Sequence, residues 1–132
     1  MNKFFKIVCY YVWISFLFLT PCWSSENKIK IGLLIPLTGN NAEIGKQIVK
    51  ATRLALNDIN SQKIEIFPRD TQSDSKKTLR SAIELKQLGI NLVLGPVFHE
   101  NLIYLDEVKD VTFLSLTNKT LDLPKNVIST GI

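Results

Sequence analysis

Short apolar runs alternate with longer amphipathic stretches over residues 28–132 of the chain. The short runs are rich in β-branched residues and stop at turn-forming residues, which is typical of buried strands. In the longer stretches, apolar residues recur at the three- and four-residue spacing of a helix with one buried face. This pattern predicts five strands, at residues 28–35, 64–67, 91–94, 111–116 and 127–130.

Three helices are predicted between these strands, over residues 42–60, 75–88 and 101–108. Apolar residues at helical spacing give the first helix a face that we expect to be buried through Ile48, Ala51 and Ala55. Three cationic residues of this helix should turn away from the core: Lys46, Lys50 and Arg53.

Strands that alternate with helices through short connectors indicate a parallel sheet with right-handed crossovers. The predicted fold class is therefore α/β, a doubly wound parallel sheet of strand order 2-1-3-4-5 with helices on both faces. The sequence stops at Gly131–Ile132, just after the fifth strand begins. We therefore expect an incomplete domain that is marginally stable and prone to associate.

The first 24 residues have the three parts of a secretory signal peptide. Lys3 and Lys6 are basic, residues 7–19 are apolar, and small residues lead to Ser24. We expect cleavage after Ser24, which leaves residues 25–132 as one exported, periplasmic domain. Two alternatives stay open, namely an uncleaved membrane anchor and lipid attachment at Cys22.

Composition limits the chemistry of the exported part. Both cysteines, Cys9 and Cys22, lie in the leader, so neither a disulfide nor a thiolate is expected after cleavage. The leader also carries two of the 16 basic residues, so 14 basic and 12 acidic residues remain and the net charge falls from +4 to +2. Such a balance does not indicate a nucleic-acid partner.

The turn after the first strand resembles a phosphate-binding loop, but its spacing is wrong. Five residues separate Gly39 from Gly45 where that motif has four, and Gln47 stands where a magnesium-binding Ser or Thr is required. A turn with positive φ explains Gly39. We therefore expect no nucleotide cofactor.

His99 next to Glu100 raises the possibility of general acid–base catalysis. A metal site or a nucleophilic triad needs further partners, and the sequence has no second histidine and no cysteine beyond the leader. Asp70 and Asp74 fit a loop before a helix capped by Ser75 better than a phospho-acceptor cluster. We therefore expect no catalytic residue and no metal.

Ligands of open parallel sheets bind beyond the carboxyl ends of the strands. Here those ends are Thr38–Gly39, residues 97–100 and residues 117–119, and they lie next to helix N-termini, which attract carboxylates. An exported domain with polar loops in this position indicates a binding lobe.

Four segments in register resemble type 1 periplasmic binding proteins of the leucine-binding-protein class. They are IKIGLLIPLTGNNAEIGKQIVKATRLALNDIN, IEIFPRDTQSD, INLVLGPVF and VTFLSLTN. The resemblance implies the first of two lobes that close on an amino-acid-like molecule, which an ABC transporter's membrane subunits would then receive. It implies eight ligand-binding residues: Thr38, Gly39, Ile44, Phe98, His99, Glu100, Thr117 and Asn118.

Three departures from amino-acid receptors resemble the penicillin-binding protein activator branch instead. The connector at residues 61–63 lacks a glycine-rich insertion, Ile44 replaces an aromatic residue, and residues 98–100 replace small hydroxyl residues. Glu100 would repel a ligand carboxylate by about 1 kcal/mol per close pair at aqueous screening. The resemblance thus implies a non-catalytic regulator of a peptidoglycan synthase, with a solute receptor as the alternative.

Overall fold

The computed structural model describes residues 28–59 and 62–131, so the predicted signal peptide and Cys22 lie outside the described residues. The described chain forms a five-stranded parallel sheet of order β2-β1-β3-β4-β5. Its strands are β1 (Ile29–Ile35), β2 (Ile64–Asp70), β3 (Leu92–Leu94), β4 (Thr112–Ser115) and β5 (Val127–Ser129). The predicted α/β class and strand order are confirmed.

Two α-helices connect the first three strands: α1 (Ala42–Asp58) and α2 (Ser75–Gln87). Asp74, not Ser75, is the N-cap of α2, and its Oδ1 accepts a hydrogen bond from the Lys77 backbone N–H at 2.7 Å. In the described residues, no helix is long and apolar enough to cross a membrane.

The predicted helix over residues 101–108 is wrong. Two short 3₁₀ turns stand there, η1 (His99–Leu102) and η2 (Leu105–Glu107). The core-facing residues Leu102, Leu105 and Val108 are each at most 2% exposed and follow one another at three-residue intervals. This interval matches the three residues per turn of a 3₁₀ helix, so both turns direct apolar side chains to the core.

β1 lies between β2 and β3 in the sheet. It pairs with β2 along its whole length, from Ile29 opposite Ile64 to Ile35 opposite Asp70. On its other side it pairs with β3 through Gly32 and Leu33. The carboxyl ends of β1 and β2 therefore lie side by side, which brings the loops that follow them together.

The main core lies on the sheet face that carries α2 and the two 3₁₀ turns. Leu34, Val93 and Phe113 of the sheet meet Ala82 and Leu85 of α2, and all five side chains are 0% exposed. Because this face combines residues from three strands and one helix, it holds the doubly wound fold together.

α1 is rotated from the predicted orientation. Ala51 and Ala55 are exposed, Ile48 is half-buried, and Gly45 is the one fully buried residue of α1. A Cβ at Gly45 would collide with the Pro36 carbonyl oxygen, so only glycine permits this close approach. The approach sets the rotation of the helix, which apolar spacing alone could not reveal.

Gly45→Ala should lower the free energy of unfolding by about 1–3 kcal/mol, because its new methyl group collides with the backbone at Pro36. Helix propensity alone would favour alanine by about 1 kcal/mol. The matched variant Ala51→Gly, at an exposed position of the same helix, should cost only that propensity difference. Urea unfolding measures both, and a stabilised Gly45→Ala protein would contradict the proposed contact.

Residues 25–132 should associate in a concentration-dependent way, because β5 is an edge strand and Ile128 on it is 55% exposed. Ile128→Lys places a charge on this edge and should weaken association. Ile103→Lys is the control, since Ile103 is 61% exposed but lies between η1 and η2. Sedimentation velocity distinguishes these cases, and a wild-type coefficient independent of concentration would contradict the expectation.

Candidate functional site

The loops after β1 and β2 are joined by the carboxylate of Asp70. Oδ1 accepts hydrogen bonds from the backbone N–H groups of Leu37 at 2.8 Å, Gln72 at 3.0 Å and Thr38 at 3.3 Å. Oδ2 accepts one from the Thr38 hydroxyl at 2.6 Å. We call Leu37, Thr38, Asp70 and Gln72 the Asp70 network.

Thr38, a predicted ligand-binding residue, takes part in this network. Its hydroxyl donates to Asp70 and accepts a hydrogen bond from Gln72 Nε2 at 2.9 Å. The hydroxyl is thus engaged in joining two loops of the lobe. Gly39, the next residue, has φ 84° as its turn predicts.

The pKa of Asp70 lies below its usual value. Desolvation by burial would raise this pKa, but the hydrogen bonds from Thr38, Gln72 and Leu37 outweigh that effect. Because the folded pKa lies below the unfolded pKa, the ionised carboxylate stabilises the fold above the unfolded pKa. That stabilisation is lost as pH falls through the folded pKa.

A cavity of about 620 Å³ opens at the carboxyl ends of β3 and β4. Four predicted site residues line it together: Phe98, His99, Thr117 and Asn118. The remaining lining is Val97, Leu116 and Lys119. The sequence pattern predicts Lys119 at this edge of the sheet. Lys119 is not among the predicted site residues, although it follows Thr117 and Asn118 in the same loop.

The other four predicted residues lie outside this lining. Thr38 and Gly39 belong to the loop of the Asp70 network, and Ile44 is 43% exposed in the first turn of α1. Glu100 lies beside the cavity, where its Oε1 is 3.4 Å from Nε2 of His99. Both of these side chains are more than half exposed.

Hydroxyl groups from β4 and β5 fix the loop beneath the cavity. The Ser115 hydroxyl donates to the Pro96 carbonyl at 3.2 Å and accepts the Thr117 N–H at 3.3 Å. Ser129 Oγ donates to the Thr117 carbonyl at 2.6 Å. Thr117 is therefore buried and positioned, while Asn118 and Lys119 remain exposed.

The cavity combines an apolar wall with one cation. Val97, Phe98 and Leu116 supply the wall, and Lys119 supplies the charge. The predicted helix N-terminus behind it is instead the four-residue turn η1, which has few aligned peptide dipoles to attract a carboxylate. Within the described residues, no three His, Cys, Asp or Glu side chains are grouped to hold a metal ion.

The sequence also matches a family model described as periplasmic binding protein, over residues 28–112. This match covers more than half of the chain and runs from β1 to the start of β4. The protein therefore belongs to the periplasmic binding protein family, and its sheet is that of the type 1 class.

Three similar proteins extend the comparison. Uncharacterized protein MJ1266 of Methanocaldococcus jannaschii is 31% identical over an aligned length of 86, and the match covers 59% of this chain and 21% of that protein. The C-domain of LpoA from Haemophilus influenzae, a regulator of PBP1A, is 26% identical with a TM-score of 0.63. The match covers 78% of this chain and 32% of the C-domain chain.

An ABC-transporter solute binding protein from Rhodopseudomonas palustris, solved with 3,4-dihydroxybenzoic acid, is also 26% identical with a TM-score of 0.63. That match covers 67% of this chain and 27% of the other. The chain thus spans a third or less of each of these three proteins.

Asp70→Asn should lower the free energy of unfolding by about 1–3 kcal/mol at neutral pH. The variant replaces a carboxylate that accepts four hydrogen bonds with a neutral amide, which accepts them more weakly. The gap from wild type should narrow as pH falls through the folded pKa, because protonation then neutralises the wild-type carboxyl as well. Urea unfolding across the acid range measures this gap. Asp122→Asn, at an exposed position, is the control, and a gap independent of pH would contradict the role of Asp70.

Proposed function

We propose that this chain is the N-terminal lobe of an exported, non-catalytic envelope protein that regulates a peptidoglycan synthase. Membership of the periplasmic binding protein family supports binding in place of catalysis. The likeness to the C-domain of LpoA, a regulator of PBP1A, supports the activator branch. In this proposal residues 1–24 act as a signal peptide and the lobe works in the periplasm.

The observation that carries this proposal is the His99–Glu100 pair at the mouth of the cavity. Amino-acid receptors are expected to place small hydroxyl residues after the third strand. Here Glu100 brings a negative charge within 3.4 Å of the His99 ring, and that ring takes up part of the lining. A ligand carboxylate would meet repulsion from Glu100, and it would have no α-helix N-terminus behind η1 to offset that repulsion.

The alternative is a substrate-binding component that delivers a small solute to the membrane subunits of an ABC transporter. A volume of about 620 Å³ suits a small molecule, and Lys119 offers a cation to an acidic group. The solute binding protein solved with 3,4-dihydroxybenzoic acid supports this function as well. An amino acid or an aromatic acid would then be the ligand.

Calorimetric titration of the full-length gene product, with both lobes of the proposed fold, against leucine, isoleucine and 3,4-dihydroxybenzoate separates the two functions. A regulator should bind none of the three solutes. His99→Ser with Glu100→Ser should then gain weak amino-acid binding, because the variant removes a like charge and a ring from the cavity mouth. Glu107→Ser with Lys109→Ser, two exposed positions outside the lining, is the matched control and should gain nothing.

The opposite pattern would favour the solute receptor. If the wild-type chain binds leucine at micromolar concentration and the double variant loses that binding, His99 and Glu100 contact the ligand and the regulator proposal is wrong. Lys119→Met would then show whether the lysine holds the acidic group of the ligand.

A further inference from the structure

A second concavity, of about 380 Å³, lies along α1 and shares no lining residue with the cavity at β3 and β4. Its apolar residues are Leu37, Val49 and Leu54, and its cations are Lys46, Lys50 and Arg53. We call this concavity the α1 groove.

The three cations of the α1 groove form one row along the helix. Lys46, Lys50 and Arg53 are spaced by four and three residues, which places them above one another on one side of α1. At 1.5 Å per residue, the row is about 10 Å long, or two helical turns. A complementary row of carboxylates would need the same spacing, which another α-helix provides.

No carboxylate of residues 28–59 and 62–131 forms a salt bridge with this row. Among the described residues, none of the three cations is part of an ion pair. Glu43 and Asp58 lie at the two ends of α1 and do not line the groove, and Glu43 already accepts a hydrogen bond from Gln47. A partner with negative charge would therefore meet an unopposed row.

The apolar part of the groove has one exposed residue, Leu54, beside the half-buried Leu37 and Val49. Leu54 is 55% exposed and lies beside the cations of the groove. Covering Leu54, Leu37 and Val49 would remove apolar area from water and would favour binding. The groove therefore offers both an apolar contact and a charge row to one occupant.

We propose that the α1 groove docks an acidic amphipathic helix of a partner protein. The apolar face of that helix would cover Leu37, Val49 and Leu54, and its Glu or Asp row would meet the cations, as in helix-in-groove recognition. The proposal does not depend on what the cavity at β3 and β4 binds, so either can fail while the other stands.

The test measures binding of the full-length chain to a fluorescent synthetic helix of about 15 residues, with leucines on one face and glutamates along its edge. Lys46→Glu/Lys50→Glu/Arg53→Glu should weaken binding at least about tenfold and should improve binding of the same peptide with lysines in place of glutamates. The control Lys76→Glu/Lys109→Glu/Lys125→Glu changes the net charge equally at exposed positions and should keep the wild-type affinity.

A second variant tests the apolar contact without reversing any charge. Leu54→Ser should weaken the peptide complex and leave its dependence on salt unchanged, because the cation row is intact. The side chain is more than half exposed, so the fold should tolerate the change, which circular dichroism checks.

Three results would overturn the proposal. The first is no binding of the acidic peptide by the wild-type chain, and the second is an equal loss of binding in the groove variant and its control. The third is binding to phosphatidylglycerol vesicles but not to the peptide, which would make the groove a lipid contact. Full binding by Leu54→Ser would also contradict the apolar contact.

Discussion

The carboxyl edge of this sheet depends on the hydrogen bonds that the Asp70 carboxylate accepts. The full register between β1 and β2 brings Ile35 opposite Asp70, so that the carboxylate meets the N–H groups at the start of the next loop. Three hydrogen bonds from Leu37 and Thr38 then join two loops that are more than thirty residues apart in the chain, and a fourth, from the Gln72 N–H, holds the Asp70 loop itself. The ends of β1 and β2 are therefore held as one unit, and any ligand must approach them as a preformed surface.

This constraint divides the carboxyl edge into two halves. At β1 and β2, polar groups of the two loops bond to one another, and the Thr38 hydroxyl donates to Asp70. At β3 and β4, hydroxyl groups of Ser115 and Ser129 fix the backbone from below, which leaves the exposed side of the loop available for contacts. The candidate cavity lies in the second half, where the exposed residues His99, Asn118 and Lys119 line an open volume.

The sequence predicts the strands and their order well, since apolar runs and short connectors leave few topologies. It also brings Phe98, His99 and Thr117 to one place, because the ends of adjacent parallel strands must meet. It could not predict that Asp70 engages the Thr38 hydroxyl, because that contact depends on strand register. Nor could it predict the turns η1 and η2, since Leu102 and Leu105 also fit one face of an α-helix.

The rotation of α1 also depends on a tertiary contact, and this rotation decides which residues of the helix are exposed. The apolar residues of this helix extend over more of its circumference than one contact with the sheet can cover, and the backbone contact of Gly45 with Pro36 decides which part is buried. Leu54 is left in the open beside the row that includes Lys50. An apolar stripe wider than one packing face leaves apolar residues exposed, and in α1 the cations beside Leu54 match the negative charge of the acidic helix proposed for the α1 groove.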